Sequence, residues 1–184
     1  IEFGDTHLSM FAQNVMYGFY TINNPTNKNG LDLGIIECTQ INKDGSLVLG
    51  TGIGFTPEIV AKAEKLIIEV NTSLPVLEGM HDIQCTVTPP NRKPFLISRV
   101  DDRIGSTTLN IDYNKVIGIV ESSLPDNGRG FNDIDNDSKT IANYIIDFFT
   151  NEVKHNRLPS HLLPLQSGVG NIANAVTSGL SKSP

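Results

Sequence analysis

The sequence has no tryptophan and only two cysteines in 184 residues. Cys38 and Cys85 lie far apart, with no CxxC pair and no cysteine–histidine spacing that is typical of a zinc site. This pattern excludes a disulfide-stabilised miniature protein and predicts reduced, buried thiols with no bound metal.

Basic residues are fewer than acidic ones. The chain has 14 Lys and Arg and 20 Asp and Glu, which gives a net charge of −6. An acidic chain of this kind excludes a non-specific nucleic-acid surface and an electrostatic membrane anchor. No apolar run approaches the roughly 18 residues that a membrane-spanning helix needs. We therefore expect no nucleic-acid or membrane partner, and any anionic ligand must be held by local groups.

No signal or transit peptide is visible in the opening residues. The sequence begins with Ile1 rather than Met, and no charged segment followed by an apolar run opens it. A helix predicted near the other end runs directly into Ser181-Lys182-Ser183-Pro184. We therefore expect the chain to be an internal fragment of a longer protein.

Short apolar runs rich in β-branched residues predict strands separated by helices. The runs occupy residues 33–39, 47–49, 65–70 and 115–120. Asp44-Gly45 lies between the first two runs and predicts a hairpin that joins them. The runs at 65–70 and 115–120 are typical of buried strands.

Helix signals alternate with these runs. Thr56 is a candidate N-cap with Pro57 at the first helical position, for a helix to about residue 65. Asp137 is the candidate cap of a second helix that ends near His155. Prolines interrupt any pattern between residues 71 and 114. The order of elements predicts an α/β protein with open, mainly parallel sheets and flanking helices.

Two glycine-rich turns precede predicted helices. Residues 50–54 have neither GxGxxG spacing nor a following Gly-Lys-Ser/Thr, which excludes a P-loop and gives weak support to a dinucleotide site. Residues 166–171 follow a short apolar run at 162–165, a predicted strand, and precede a helix at 172–180. Such a turn can aim amide N–H groups at a carboxylate, a phosphate or an oxyanion. A plain structural turn is the alternative in both places.

Two histidines are candidate bases. His7 follows Asp5, and His81 precedes Asp82, so a carboxylate is available to orient each ring. A structural hydrogen-bonding role is the competing hypothesis and the favoured one. The sequence contains neither HExxH, the motif typical of metalloproteases, nor GxSxG, the motif typical of hydrolases with a nucleophile elbow.

Three carboxylates fall in or at the ends of the predicted strands: Glu37, Glu69 and Glu121. If buried, each would be a candidate acid or nucleophile. Pairing with loop amides is the commoner outcome for such residues.

Several segments together resemble the acetyl-CoA hydrolase / succinyl-CoA:acetate CoA-transferase family. They are DTHLS at 5–9, IEVNTS at 68–73 with EGMHDI at 78–83, and NEVKH at 151–155 continuing through RLP at 157–159 to LPLQSGVGNIANAV at 163–176. The last segment is long and specific, and the similarity spans nearly the whole chain. It looks closest to the eukaryotic, typically mitochondrial, acetyl-CoA hydrolases.

The resemblance implies the class I CoA-transferase fold, a NagB/RpiA-like α/β architecture in two halves. Residues 1–121 would be the later part of the first half, residues 122–160 a connecting loop and helix, and residues 161–184 the start of the second half with a glycine-rich CoA loop. By this resemblance Glu69 lies away from the family's nucleophile and is withdrawn as a catalytic candidate. We also expect an apolar part of the surface that is meant for a missing half.

The resemblance also implies a covalent mechanism. In the family a glutamate attacks the acyl-CoA thioester, giving a mixed anhydride that the CoA thiolate converts to a glutamyl-CoA thioester, from which a second carboxylate accepts the CoA. That glutamate follows the glycine-rich loop in a Thr-Glu motif, whereas no glutamate follows Glu152 here. We therefore expect the complete protein to be active and this chain alone to be inactive.

Site residues are carried over from the family position by position. Val169 is expected to donate its backbone N–H to the oxyanion. The expected CoA-binding residues are Gly168, Val169, Gly170, Asn171 and Ile172, supported by Gln166, Ser167 and Asn174. Arg129 is a weaker candidate for a CoA phosphate, against the favoured alternative of a solvated loop arginine. The CoA thioester is a substrate, and no permanently bound cofactor is expected.

The implied function is acetyl-CoA hydrolysis or CoA exchange in acetate metabolism. Acetyl-CoA, succinyl-CoA, acetate and succinate are the expected small-molecule partners, and the whole protein is expected to be a homodimer in mitochondria, or otherwise in the cytoplasm. The alternative is a non-catalytic module that binds CoA or another anion, or a truncated pseudoenzyme.

Overall fold

The computed structural model forms two compact units, each built from two stretches of chain. The first unit takes in residues 1–97 and 103–126, and the second takes in 98–102 and 127–184. The three-part division implied by the resemblance remains a prediction. The structure describes residues 5–21, 30–90, 92–126, 133–162 and 165–183.

The first unit contains a parallel sheet, as the order of predicted elements indicated. Its elements in chain order are α1 (Leu8–Met16), β1 (Leu31–Cys38), β2 (Gln40–Ile41), β3 (Leu47–Val48), α2 (Thr56–Lys62), β4 (Ala63–Asn71) and β5 (Val116–Ser122), with 3-10 turns at Phe19–Thr21 and Tyr113–Lys115. The strands β1, β4 and β5 lie side by side in that order, and both pairs are parallel. The α/β class is therefore confirmed.

The core of this unit lies on one face of the sheet. Ile36 of β1 is in register with Ile68 of β4, and both are buried together with Leu66. Val60 of α2 and Leu47 of β3 belong to the same cluster. Each fully buried aliphatic side chain of this size contributes about 1.5–3 kcal/mol, so this cluster dominates the unit's stability.

The predicted hairpin forms, but with a different first strand. Asp44-Gly45 makes the turn, with Gly45 at φ +84° and the Asp44 carboxylate accepting the N–H of Ser46 at 2.9 Å. The strands that it joins are β2 and β3, whereas β1 pairs in parallel with β4. The prediction that residues 33–39 form the hairpin strand was therefore wrong.

The helix α2 differs from its predicted limits. Its N-cap is Phe55 rather than Thr56, and no side chain caps it, although Pro57 occupies the first turn as predicted. The helix ends at Lys62 because Ala63 turns to extended backbone and begins β4. Residues 50–54 form the irregular turn ahead of this helix.

The strand β5 was predicted to be buried, and it is largely exposed. Ile117, Ile119 and Val120 of this edge strand expose more than half of their surface, so little of the described chain packs over its side chains. Leu33 and Ile35 of β1 are exposed as well. The described surface therefore includes an apolar part, as expected.

The second unit is a helix pair. Its two helices are α3 (Asn136–Lys154) and α4 (Asn171–Leu180). Each helix has a buried alanine, Ala142 on α3 and Ala175 on α4. The predicted strand at 162–165 is absent from its described positions: Leu162 has φ +59° and residue 165 lacks regular structure. Its residues 163 and 164 lie outside the described residues. Within the described ranges, neither helix of this unit nor any other is long and apolar enough to cross a membrane.

The N-cap of α3 is Asp135 rather than the predicted Asp137. The Asp135 carboxylate accepts the backbone N–H and the hydroxyl of Ser138, both at 2.8 Å. These hydrogen bonds hold the pKa of the Asp135 carboxyl below its ordinary value of 3.8. The cap is therefore formed by the ionised carboxylate.

Replacing Asp135 by Ala should lower the thermal midpoint of the protein near pH 7 more than Asp137→Ala does. Because the folded pKa is lowered, the stabilisation is fully present above pH 3.8 and is lost as the pH falls through the still lower folded value. Asp135→Asn should keep the cap and lose this acid sensitivity. Circular dichroism melts between pH 2 and 7 measure both effects, and equal losses in the two alanine variants would contradict the assignment.

Candidate functional site

The glycine-rich loop leads directly into α4. Residues 165–170 have no helix or strand, and α4 begins at Asn171 with Gly170 in the N-cap position at φ +143°. A side chain is strained at that angle, which explains glycine there. Among the described residues no side chain caps this helix, so its first-turn N–H groups stay available to a ligand.

The loop itself is open to solvent. Val169 is 107% exposed relative to a reference residue, and an added Cβ at Gly168 would meet no atom within 4 Å. The backbone of Val169 is therefore unobstructed by neighbouring groups of the described chain. This is the property that an oxyanion donor requires.

An open cleft of about 740 Å³ follows the loop, and we call it the first cleft. Seven of the eight predicted site residues line it: Gln166, Ser167, Gly168, Val169, Gly170, Asn171 and Ile172. The eighth, Asn174, lines a second cleft that adjoins the same loop. The structure therefore brings the predicted CoA residues together around one loop, and their roles in binding remain predictions.

Two polar residues that line the first cleft were not predicted from the sequence. Asp135 and Ser138 line its wall, and Asn171 Nδ2 donates to Asp135 Oδ2 at 3.3 Å. Asp135 thus caps α3 and also holds the residue that follows the glycine-rich loop. The signal was the Asp-x-x-Ser spacing, which is typical of an N-cap.

The electrostatics of the first cleft combine the positive end of the α4 dipole with the negative charge of Asp135. The N-terminal end of a helix carries a partial positive charge and unpaired N–H groups. The nearby Asp135 carboxylate opposes an anion, but it already accepts hydrogen bonds from Ser138 and Asn171. Amide groups that point at a developing oxyanion are the chemistry that this arrangement can supply.

The histidines lie elsewhere. His81 is buried and its Nε2 is 3.1 Å from the carbonyl oxygen of Leu49. The Arg103 guanidinium donates to the carbonyls of His81 and Gly79. This geometry supports the structural hydrogen-bonding hypothesis for His81.

His7 is exposed, directly before α1, and its side chain makes no capping bond there among the described residues. Arg129 lies outside the described residues.

The strand carboxylates are not buried as a catalytic acid would be. Glu37 and Glu121 are exposed and Glu69 is half-buried. The Glu37 Oε1 atom accepts from Asn71 Nδ2 at 2.9 Å, which is the amide pairing named as the commoner outcome. None of the three carboxylates is fully buried, so the condition for a candidate acid or nucleophile on these strands is not met.

The buried carboxylate of the first unit is one that the sequence did not indicate. Glu58 of α2 is 4% exposed and accepts the N–H and hydroxyl of Thr86, both at 2.8 Å.

Cys38 is buried, and burial raises the pKa of its thiol to about 11. Cys85 is a half-buried free thiol. In the described ranges no cluster of His, Cys, Asp and Glu is arranged to hold a metal ion.

Comparisons with known proteins place this chain in a family. The profile of the acetyl-CoA hydrolase/transferase N-terminal domain matches residues 1–122. Curated acetyl-CoA hydrolases from Neurospora crassa and Saccharomyces cerevisiae are each 51% identical, over 100% and 98% of this chain. The chain covers 34% of each, and so spans about a third of the length of these relatives.

Solved structures agree on the fold. RipA from Yersinia pestis superposes with a TM-score of 0.57 at 18% identity, over 98% of this chain and 31% of its own. A 4-hydroxybutyrate CoA-transferase from Porphyromonas gingivalis gives 0.54 at 18% identity, over 97% of this chain and 34% of its own. These matches show a CoA-transferase-type α/β fold. With a family profile over residues 1–122 and this fold, the chain belongs to the acetyl-CoA hydrolase/transferase family.

Proposed function

We propose that the whole protein hydrolyses acetyl-CoA, with CoA transfer to a carboxylate acceptor such as succinate as its competing reaction. The observation that carries this proposal is the 51% identity to a curated acetyl-CoA hydrolase over the entire chain. The open loop at Gly168 and Val169 supports it, because a thioester needs unobstructed access to amide donors.

The proposed reaction uses a glutamate carboxylate as the nucleophile. It attacks the thioester carbonyl, the oxyanion is held by the Val169 N–H, and the C–S bond breaks to give a mixed anhydride and the CoA thiolate. The thiolate then attacks the glutamyl carbonyl and releases acetate, leaving a glutamyl-CoA thioester. Water attack on this thioester restores the carboxylate and frees CoA. Attack by a second carboxylate instead expels the thiolate and forms a second mixed anhydride, and the thiolate then attacks the acceptor's carbonyl to give the new acyl-CoA and the free glutamate. Exclusion of water decides between the two outcomes.

The whole protein should release free CoA from acetyl-CoA. Strong stimulation by succinate, with succinyl-CoA as a product, indicates transfer, whereas a rate that is independent of succinate indicates hydrolysis. The purified 184-residue chain should show neither reaction, since no glutamate follows Glu152 in it. Thiol release and product chromatography measure both, with mock-purified host extract as the control. CoA binding by the whole protein without turnover would instead favour a binding module.

The Gly170→Ala variant of the whole protein should lose most of its activity. A side chain at φ +143° is strained, so the loop must move and the Val169 N–H loses its position. Loss of one oxyanion donor lowers kcat by about 100- to 1,000-fold in other enzymes. Gly52→Ala is the matched control, because nothing lies within 4 Å of its added Cβ. Steady-state kinetics with unchanged kcat for Gly170→Ala would contradict the role of the loop.

We also propose that the whole protein is a mitochondrial homodimer in acetate and acetyl-CoA metabolism, which only the family resemblance supports. Fractionation of the source cells, followed by light scattering of the recovered protein, tests location and assembly together. Recovery with cytosolic markers would contradict the location, and a monomer mass would contradict the assembly.

A further inference from the structure

A third cleft lies in the first unit, and it shares no residue with the two clefts beside the glycine-rich loop. Its volume is about 320 Å³, and it is lined by residues 84–87 and by Arg92, Lys93 and Phe95. We call it the basic cleft, because within the described chain Arg92 and Lys93 are the two charged residues that line it. It is therefore a local positive site in a chain whose net charge is −6.

Two contacts hold the Arg92 guanidinium. Its Nε–H donates to the Val87 carbonyl oxygen at 2.9 Å, and its Cζ atom lies 5.4 Å from the centre of the Tyr17 ring. Neither contact uses the Nη groups, which form no ion pair within the described residues. A guanidinium that is fixed in this way has little conformational freedom left to lose on binding, and its planar fork matches two oxygens of a carboxylate or a phosphate.

Lys93 places a second positive charge in the same cleft. Its side chain is exposed and takes part in none of the ion pairs that the described part of the chain forms. Loop packing by itself explains the conformation of Arg92, whereas no ion pair explains the position of Lys93. Adjacent like charges repel each other, and a ligand with two negative charges removes this repulsion.

The segment at 84–87 is anchored to α2. Thr86 donates its N–H and its hydroxyl to the buried Glu58 carboxylate, both at 2.8 Å, and these bonds fix one wall of the cleft. Burial and the nearby Glu58 charge raise the pKa of the Cys85 thiol above its ordinary value of 9.0, while Lys62 acts in the opposite direction. This wall is therefore rigid, and its thiol is uncharged near pH 7.

The basic cleft also has an apolar surface. Val87 and Phe95 line it, and they expose 40% and 52% of their surface. Exposed apolar side chains beside fixed cations suit a ligand that joins anionic groups to a hydrocarbon or a ring. The cleft volume lies at the lower end of the roughly 300–1,000 Å³ of small-molecule sites, so the ligand is a small one.

We propose that the basic cleft binds a small organic dianion. The Nη groups of Arg92 and the ammonium of Lys93 contact the negative charges, and the body of the ligand packs against Val87 and Phe95. A dicarboxylate and a phosphate monoester both have this chemistry. The inference goes beyond the proposed function and does not depend on it, because none of the glycine-rich loop residues lines this cleft.

The Cys85 thiol is a reporter of this cleft in the whole protein, because it lines the cleft and is half-buried. Its labelling by iodoacetamide is measured by peptide mass spectrometry at mildly alkaline pH and constant ionic strength. Succinate and phenyl phosphate are the two probes, and uncharged succinamide is the control. At about ten times its half-saturating concentration, a bound probe should slow labelling about tenfold, since about a tenth of the clefts is then empty. The buried Cys38 should stay unlabelled.

The two probes separate the two sources of this chemistry. Slower labelling with succinate alone identifies a dicarboxylate site, and slower labelling with phenyl phosphate alone identifies a phosphate site. Unchanged labelling with both probes would overturn the proposal. Equal slowing by succinamide would overturn it as well, because the charges would then have no part in binding.

Substitutions test the two cations separately, with each rate compared with that of the same variant without a probe. Lys93→Gln should raise the half-saturating concentration about fivefold, as expected for an exposed ion pair. Arg92→Lys keeps the charge and loses the fork, and it should raise that concentration about tenfold. Lys43→Gln is the matched control, because Lys43 is exposed in the same unit and does not line the cleft. Unchanged binding in both Lys93→Gln and Arg92→Lys would contradict the assignment.

Turnover of acetyl-CoA, measured on the same samples, keeps this inference apart from the proposed function. Protection of Cys85 in a protein without turnover supports the basic cleft and contradicts the proposed function. Turnover without protection by either probe contradicts the basic cleft alone. Protection by CoA but by neither probe would also overturn the inference, because the cleft would then belong to the substrate.

Discussion

The parallel pairing of β1 with β4 determines most of the first unit, because parallel strands cannot be joined by a tight turn. The chain between Cys38 and Ala63 must return to the start of the sheet, and it does so through the β2–β3 hairpin and α2. That return path brings Leu47 and Val60 over the buried face of the sheet. It also ends α2 at Lys62, since the next residue already belongs to β4.

The same constraint explains which sequence predictions succeeded. Asp44-Gly45 predicted a turn correctly because a turn depends on the conformations of its own residues. The partner of β1 lies 32 positions further along the chain, as the register of Leu33 with Lys65 shows, and no local pattern contains this pairing. The exposure of Ile119 was missed for a related reason. An apolar run identifies a strand, but its burial depends on whether another element covers it.

In the second unit, the wrong prediction of the α3 cap meant that a contact between residues far apart in the sequence was not predicted. Asp135 and Asp137 are both reasonable caps by residue type, and they lie two positions apart. Only the packed helix pair reveals that Asp135 meets Asn171, 36 residues later. The loop and the helix start at Asn171 were predicted from glycines and apolar spacing, whereas the residues from α3 that complete the first cleft depend on packing and were not.

The open loop and the rigid helices have complementary roles. Val169 and Gly168 make few contacts, so the loop cannot hold its own geometry by packing. Its conformation is held at its end instead, where Asn174 N–H bonds the Gly170 carbonyl at 3.0 Å and Asn171 bonds Asp135. The proposed site has to admit a large thioester and still aim one amide, and it needs this division because preorganisation comes best from rigid supporting elements. The accessible residues are therefore those of the loop, and the residues that position the loop lie at the N-terminal ends of α3 and α4.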